Sequence, residues 1–377
     1  DKAGASDIDV LSGTATIAAG GTSTTFDVTA SSDSVVEGIE GIKVSVFDSN
    51  STALSSSVIL VNNSGSSATS QAFTLTTGVN EFVGGSGNDT FDASTTTNSL
   101  NDFDNIDGAG GTDTVVAKLT GADAGVSLAP VMNNIEQVSI TFTDTTANEG
   151  AADKLTVNLA ESTSVNKVMN VTSNEAVFFD NLVNMTALEV KSAQNTTTLN
   201  YDYLTLAGSD DNQSITVKGT NGTDVTLDDD NPLSSSVLET VTVNSLSVAN
   251  TLDSLDTSAV NTTKLVVTGD KKLTITAALD ADITTIDASG STGGLTLSAD
   301  PGAVNFTFIG SSAADALTAS TGNVNVTGGG GNDTLTVAGT WNGYDVFDGG
   351  DGTDTLAISA SFEPLNTGPA SANTIAA

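Results

Sequence analysis

The chain has 377 residues, with 46 Asp and Glu against 10 Lys and Arg, which gives a formal net charge of −36 at pH 7. This charge repels the phosphate backbone of nucleic acids and the surface of anionic membranes, so we expect neither as a partner. Because the chain has no Cys and no His, it can form no disulfide, no zinc site built from Cys or His, and no catalytic triad that uses them.

The composition also indicates where the protein works. Lys is scarce, Gly is abundant and the balance is acidic, so we expect a secreted, extracellular protein of the bacterial cell surface. No apolar run approaches the roughly 18–20 residues of a membrane helix, so we expect no membrane insertion. The first residues lack a Met, a basic region and an apolar region, so they are not a signal peptide. We expect that the chain begins at a processing point or is one part of a longer protein.

Residues 1–75 are predicted to form a complete or partial immunoglobulin-like β-sandwich. Segments 13–19, 23–30, 41–49 and 55–63 alternate apolar and polar residues with a period of two, as half-buried strands do. Residues 35–44 (VVEGIEGIKV) resemble the second half of a Calx-β domain. The resemblance implies that acidic loop residues can bind Ca²⁺, and Glu37 and Glu40 match that pattern; the alternative is that both are solvated loop acids.

Residues 76–120 contain a Gly-rich cluster. Residues 84–91 (GGSGNDTF) are a complete copy of the pattern Gly-Gly-x-Gly-x-Asp-x-U, where U is a large apolar residue, and 108–115 (GAGGTDTV) are a near copy. A worn half-copy lies between them at 102–106, and its Asp104 comes nine residues before Asp113. The residues that we expect to point inward are Phe82, Phe91, Phe103 and Ile106.

Residues 121–310 are rich in Thr, Asn and Val and contain a weak repeat. The segments around Glu136, Glu189, Glu239 and Ile283 resemble one another, at steps of about 45–53 residues. Short strands lie between them. Repeats on this scale predict a stacked β-solenoid in which each repeat buries a face on its neighbours. The alternative is a string of small sandwiches.

Residues 311–360 contain a second cluster with the same plan as the first. Segments 328–335 (GGGGNDTL) and 349–356 (GGDGTDTL) are complete copies of the pattern. The half-copy 343–347 lies between them, and its Asp345 comes nine residues before Asp354. Residues 310–317 keep only part of the pattern and are predicted to cap this roll without binding an ion. Residues 361–377 lose the pattern and are predicted to be a linker or a truncated end.

The residue types in these clusters point to Ca²⁺. Glycines allow backbone carbonyls to turn toward one point, and the Asp adds an anionic oxygen there. An all-oxygen set suits Ca²⁺, which takes about 6–8 oxygens. The predicted ligands, through side chains or backbone carbonyls, are Gly84, Ser86, Asn88, Asp89, Asp104, Gly108, Gly110, Thr112, Asp113, Gly328, Gly330, Asn332, Asp333, Asp345, Gly349, Asp351, Thr353 and Asp354. The alternative is that these segments are ordinary Gly-Asn-Asp turns.

The pattern resembles the nonapeptide repeat of RTX proteins, which implies a parallel β-roll with Ca²⁺ between its turns. With its Leu-Glu-x-Val strands, its lack of Cys and its acidic balance, most of the chain resembles in character part of an RTX-type, type I-secreted surface-layer protein of bacteria. That resemblance implies an all-β fold, a sandwich followed by a solenoid or β-roll, and a structural, non-enzymatic role in calcium-dependent self-assembly. The expected partners are further copies of the chain, and cell-surface polysaccharide is a second candidate partner. The alternatives are an adhesin or extracellular filament subunit and, less favoured, a carbohydrate-active enzyme or toxin with RTX modules.

Overall fold

The computed structural model describes most of the chain from residue 70 onward. Before that residue it describes only the backbone of two strands. The described ranges are 39–47, 53–62, 70–121, 125–144, 154–202, 205–206, 208–229, 237–298, 305–319, 322–339, 344–358 and, for its backbone, 374–376. Every regular element in these ranges is a β-strand. The predicted all-β class is therefore confirmed.

The strands from residue 72 onward form a parallel β-solenoid. Strands that follow one another along the chain lie in different sheets, and each pairs in parallel with the strand one coil away. Two long sheets, which we call sheet I and sheet II, form the two broad sides, and a short sheet III lies near the amino-terminal end. The predicted solenoid is thus confirmed, and the string of small sandwiches is wrong for residues 121–310 wherever the structure describes them.

The strand bounds define these sheets. Sheet I has 14 strands: β3 (Ala72–Thr74), β5 (Thr90–Ala93), β7 (Thr114–Gly121), β10 (Gln137–Asp144), β12 (Lys167–Val171), β14 (Ala187–Lys191), β16 (Asn212–Lys218), β18 (Thr240–Leu246), β20 (Lys264–Gly269), β22 (Thr285–Ser291), β24 (Asn305–Ile309), β26 (Asn323–Thr327), β28 (Val346–Asp348) and β30 (Thr374–Ala376). Sheet II has 11 strands: β8 (Val126–Leu128), β11 (Lys154–Asn158), β13 (Ala176–Leu182), β15 (Thr197–Tyr201), β17 (Asn221–Asp229), β19 (Asn250–Asp256), β21 (Leu273–Ile275), β23 (Leu295–Leu297), β25 (Ala316–Ala319), β27 (Thr334–Val337) and β29 (Thr355–Ile358). Sheet III has three strands: β4 (Glu81–Val83), β6 (Asn105–Asp107) and β9 (Val131–Asn133).

Period-two alternation places the core between the sheets. In β10 the residues Val138, Ile140 and Phe142 are buried, while the residues between them are partly exposed. The same alternation recurs in β12, β18 and β27. Each sheet is covered on one side only, so its strands keep the half-polar pattern that marks them in the sequence.

The two Gly-rich clusters lie on opposite long edges of sheet I. Because all its strands are parallel, their amino ends share one edge and their carboxyl ends share the other. The loops at 84–89 and 108–113 lead into β5 and β7, whereas the loops at 328–333 and 349–354 follow β26 and β28. The clusters lie on different edges because one coil between them is irregular. In that coil the chain passes through sheet II and then sheet III between β7 and β10.

The amino-terminal region is described only in part. Strands β1 (Ile39–Phe47) and β2 (Ala53–Asn62) pair antiparallel and coincide with two of the predicted strands. The rest of the predicted sandwich, including Glu37, lies outside the described residues. The predicted linker at 361–377 also lies outside them, except that 374–376 form β30 and pair with β28.

The repeat read from the sequence was partly wrong. One coil spans about half of the predicted repeat, because β12, β16 and β20 lie between the segments that resemble one another. Glu136 and Glu239 each precede a strand, but Glu189 lies inside β14 and faces outward. Each of these three glutamates follows a Leu or an Ile, but they differ in their position relative to the paired strands.

One of the predicted inward residues points outward. Phe91 and Ile106 are fully buried and Phe82 packs against the core, but Phe103 is 75% exposed. The neighbouring Asp104 occupies the inward position, with its carboxylate bonded to backbone amides. Residues 102 and 103 form a turn before β6, and this turn leaves the Phe103 ring in solvent.

Candidate metal centres

Each Gly-rich loop ends in an acid that immediately precedes a strand. At each cluster, three acids that each immediately precede a strand stack one coil apart. We call Asp89, Asp113 and Glu136 the amino-terminal ladder, and Asp315, Asp333 and Asp354 the carboxy-terminal ladder. All except Glu136 and Asp354 are buried.

A repeated hydrogen bond holds the amino-terminal ladder together. The backbone amide of Asp89 donates to Asp113 Oδ1 at 2.7 Å. The amide of Asp113 donates to Glu136 Oε2 at 2.7 Å. At the outer end, Asp89 accepts from Gln71 N at 2.8 Å and from Gly85 N at 2.7 Å. Each carboxylate therefore serves as the acceptor for the coil before it.

The carboxy-terminal ladder repeats this arrangement. The amide of Asp315 donates to Asp333 Oδ1 at 2.8 Å, and the amide of Asp333 donates to Asp354 Oδ1 at 2.9 Å. Asp315 accepts from Leu295 N at 2.5 Å and from Ser311 N at 2.6 Å. The 310–317 segment, predicted to cap this roll, therefore lies at the start of the second ladder and supplies its first acid.

The first glycine of each loop forms a cradle for the second carboxylate oxygen. A Cβ at Gly108 would lie under 3.0 Å from Asp113 Oδ2 and from the Asn134 carbonyl oxygen. A Cβ at Gly328 would lie equally close to Asp333 Oδ2 and to the Gly349 carbonyl oxygen. A carboxylate oxygen and a carbonyl oxygen thus converge at each glycine, which is why no larger residue fits there.

The middle acid of each ladder has one oxygen without a partner. Asp113 Oδ2 and Asp333 Oδ2 are buried and accept no hydrogen bond. The amide of Ala109, which corresponds to the Gly85 donor one coil earlier, instead donates to Asp107 Oδ1 at 2.9 Å. A small cavity at the second ladder is lined by Gly328 and Asp333 among mostly apolar residues.

Burial and like charge both oppose ionisation of these middle acids. Burial, together with the negative charges of Asp89 and Glu136, raises the pKa of Asp113 to about 6. Burial, together with the charges of Asp315 and Asp354, raises the pKa of Asp333 to about 6. The burial of Asp315 also raises the pKa of that carboxyl. Each ladder therefore brings negative charges together in a row along the corner of the coil.

The half-copies form ladder contacts of their own. Asp104 Oδ1 accepts from Asn80 N at 2.8 Å, and Asp345 Oδ1 accepts from Val324 N at 2.9 Å. Asp104 precedes β6 in sheet III, whereas Asp113 precedes β7 in sheet I. The nine-residue spacing therefore places Asp104 and Asp345 at corners of the coil other than those of Asp113 and Asp354.

The remaining predicted ligands lie on the outer side of the loops. The side chains of Asn88 and Asn332 accept the amides of Thr112 and Thr353, at 2.8 and 3.0 Å. The amides of Gly110, Gly330 and Asp351 bond to carbonyls of the adjacent coil. Asp351 and Ser86 are exposed. These residues brace the stacked loops in the structure, and a coordinating role for their carbonyls stays a prediction.

Sequence reasoning missed three contributors. Glu136 extends the first ladder, Asp315 begins the second, and the Asn134 carbonyl lies at the Gly108 cradle. The available signal was an acid placed immediately before an alternating strand, with or without a Gly-rich loop. Among the described residues, no three or more acidic side chains surround one point. A cation in either ladder would therefore take most of its ligands from backbone carbonyls.

Comparison of the chain with known protein families, with curated proteins and with solved structures gives no match. The class that the fold defines is a parallel β-solenoid with acid ladders at its corners. None of the described residues forms a helix of the length and apolar character that crossing a membrane requires.

Proposed function

We propose that the chain is a calcium-stabilised structural protein that is secreted and assembles with copies of itself on the bacterial surface, as the RTX-type surface-layer proteins that it resembles do. The observation that carries this proposal is the pair of buried, unpartnered oxygens Asp113 Oδ2 and Asp333 Oδ2. A buried charged oxygen without a donor is costly. A bound cation would remove that cost at the two equivalent places where it arises.

The available ligands favour Ca²⁺ over other ions. The groups that converge at the cradles are carboxylates and backbone carbonyls, which suit a hard cation with a flexible shell of oxygens. Mg²⁺ demands octahedral geometry and retains several waters. In the first ladder the expected ligands are Asp89, Asp113 and the carbonyls of Gly108 and Asn134. In the second ladder they are Asp333, Asp354 and the Gly349 carbonyl.

The charge of the chain makes calcium a condition for stability. A net charge of −36 opposes the compact state by self-repulsion. When bound, a divalent ion supplies positive charge inside a row of carboxylates, and its binding energy becomes folding energy. Extracellular sites of this type fill at roughly 10⁻⁴–10⁻³ M Ca²⁺. We therefore expect a loosely folded chain before export and a rigid rod outside the cell.

The alternative assembly is a filament or adhesin stalk. The antiparallel pair β1–β2 before the solenoid is the observation that favours it, since stalks are built from sandwich modules. Many tandem sandwich copies in the full-length protein would favour the stalk, whereas a single solenoid would favour a surface layer. Cell-surface polysaccharide is the proposed anchor in either case.

The test is a calcium titration of cation-free protein, followed by calorimetry and by far-ultraviolet circular dichroism. Wild type should take up Ca²⁺ with a gain in melting temperature that Mg²⁺ does not reproduce. Combining Asp113→Asn with Asp333→Asn should abolish most of that gain. The matched control combines Asp210→Asn with Asp282→Asn, which remove the same charge from exposed positions. Equal losses in both double variants would show that the ladders bind no ion.

A further inference from the structure

The outer face of sheet I is positively charged between β7 and β22, although the protein as a whole is strongly acidic. Between β7 and β22 the outward positions carry five lysines against Glu189 and Asp287. We call this region the lysine face; its lysines are Lys118, Lys167, Lys191, Lys218 and Lys264. Half of the 10 basic residues of the chain thus lie on one flat surface.

Pairing on the lysine face leaves most of its charge available. Glu189 is bonded to Lys167 at 2.9 Å and to Lys218 at 3.0 Å, so one carboxylate is shared by two ammonium groups. Asp287 lies 3.5 Å from Lys264. Lys118 and Lys191 are exposed and form no salt bridge among the described residues. The face therefore keeps a net positive charge.

The outer face of sheet II has the opposite charge over the same coils. Between β8 and β21 its outward positions carry five aspartates against Lys154. We call this region the aspartate face; its acids are Asp180, Asp224, Asp228, Asp253 and Asp256. Lys154 lies 4.3 Å from the Phe178 ring centroid, so part of its charge is directed at that ring.

We infer that the lysine face of one copy docks on the aspartate face of a second copy. This inference shares with the proposed function only the premise that the protein associates with itself. The two faces lie on opposite sides of one rod, are flat, carry opposite charge and have a similar axial extent. Their contact cannot close into a dimer, because each copy keeps one free face of each sign. Repetition of such a head-to-tail contact produces an open stack.

The size of the faces supports a second copy as the partner. The lysine face has eight strands and the aspartate face seven. At about 4.8 Å spacing and about six residues per strand, the faces measure roughly 30–35 by 20 Å, or roughly 600–700 Å². A standard interface takes about 800 Å² from each partner. One contact is thus just large enough to be specific, and the opposite charges set its direction and register.

Charge exchange between the faces tests this contact. The lysine variant carries Lys118→Glu and Lys191→Glu, and the aspartate variant carries Asp228→Lys, Asp253→Lys and Asp256→Lys. Each variant has two faces of the same sign, so each alone should require about tenfold or higher concentration to associate in sedimentation experiments with millimolar calcium. A 1:1 mixture should restore assembly, because each variant then offers the face that the other lacks.

A control variant separates the face from net charge. Lys271→Glu with Lys272→Glu makes the same change in net charge at the corner between β20 and β21, so it should associate like wild type. Wild type that stays monomeric, a control variant as impaired as the lysine variant, or a folded mixture that does not assemble would each overturn the contact. Calcium uptake and folding are measured on every variant, so loss of calcium binding alone would count only against the proposed function.

Discussion

Replacing Asp333 by Asn should have opposite effects with and without calcium. The pKa of Asp333 is raised from 3.8 to about 6, so its carboxylate is held ionised at pH 7 against burial and two neighbouring charges. One pKa unit corresponds to about 1.4 kcal/mol. After a discount for solvent screening, the ionised side chain costs about 1–3 kcal/mol in cation-free protein. The Asn retains Oδ1 as the acceptor for Asp315 N and adds a donor beside the Gly349 carbonyl.

We therefore expect Asp333→Asn to raise the free energy of unfolding of cation-free protein at pH 7 by about 1–3 kcal/mol. The same change should remove most of the calcium-induced gain, because the ladder loses its charge. Urea unfolding in calcium and in chelator measures both effects. Exposed Asp282, changed to Asn, provides the control. A variant that is equally destabilised in both conditions would refute the reasoning, because it would make Asp333 a simple structural acceptor.

The pH dependence follows from the same acids. The folded-state pKa of Asp113 and Asp333 lies above its unfolded value, so the folded state binds more protons between about pH 4 and 6. Cation-free protein should become more stable as the pH falls through 6. The variant with Asn at both positions should lack this part of the pH dependence. Metal-stripped protein, unfolded by heat at several pH values, provides the measurement.

Three further substitutions test individual contacts. Gly328→Ala should destabilise the protein by at least about 2 kcal/mol and abolish calcium uptake at the second ladder, whereas Gly330→Ala, with 3.5 Å of clearance, should change neither in thermal unfolding and calorimetry. Ala109→Gly should stabilise by up to about 1 kcal/mol in urea unfolding, since Ala109 has φ 63° where the complete loops carry glycine. Glu189→Gln should lower the free energy of unfolding by about 1–3 kcal/mol, because two partly buried lysines lose the carboxylate that they share. Burial raises the pKa of Glu189, but the hydrogen bonds from the two lysines outweigh burial and lower it. The stability difference from wild type should therefore vanish in acid, where Glu189 is protonated in both folded and unfolded protein.

The sequence predicted those features that depend on local periodicity. Alternation in segments such as 137–144 identified strands and their buried residues, and the spacing between Asp104 and Asp113 correctly implied two corners of one coil. Both features repeat within a few residues of the chain, so no tertiary information is required to see them. The Gly-rich loops were located for the same reason.

What the sequence could not predict depends on pairing between coils. Glu189 resembles Glu136 in its neighbours, yet its register opposite Met169 and Thr216 places it on an outer face. The exchange of the clusters between the edges of sheet I depends on the extra strand β9 in one coil. The unpartnered oxygen of Asp113 depends on where the amide of Ala109 points. None of these follows from composition or spacing.

The rest of the solenoid explains why the ladder acids matter. Elsewhere in the stack, Glu239 accepts such a bond from Asp211 N at 2.8 Å, but several neutral side chains also accept the same kind of bond from a backbone amide one coil away. Ser164 accepts from Ile135 N at 2.8 Å, Ser173 accepts from Phe142 N at 2.8 Å, and Asn250 accepts from Thr220 N at 3.0 Å. Stacking therefore needs an acceptor but no charge. Without a cation, the folded protein is less stable with mostly buried carboxylates at these two corners than it would be with Asn or Ser there. This difference in stability is the strongest physical argument for calcium in the ladders.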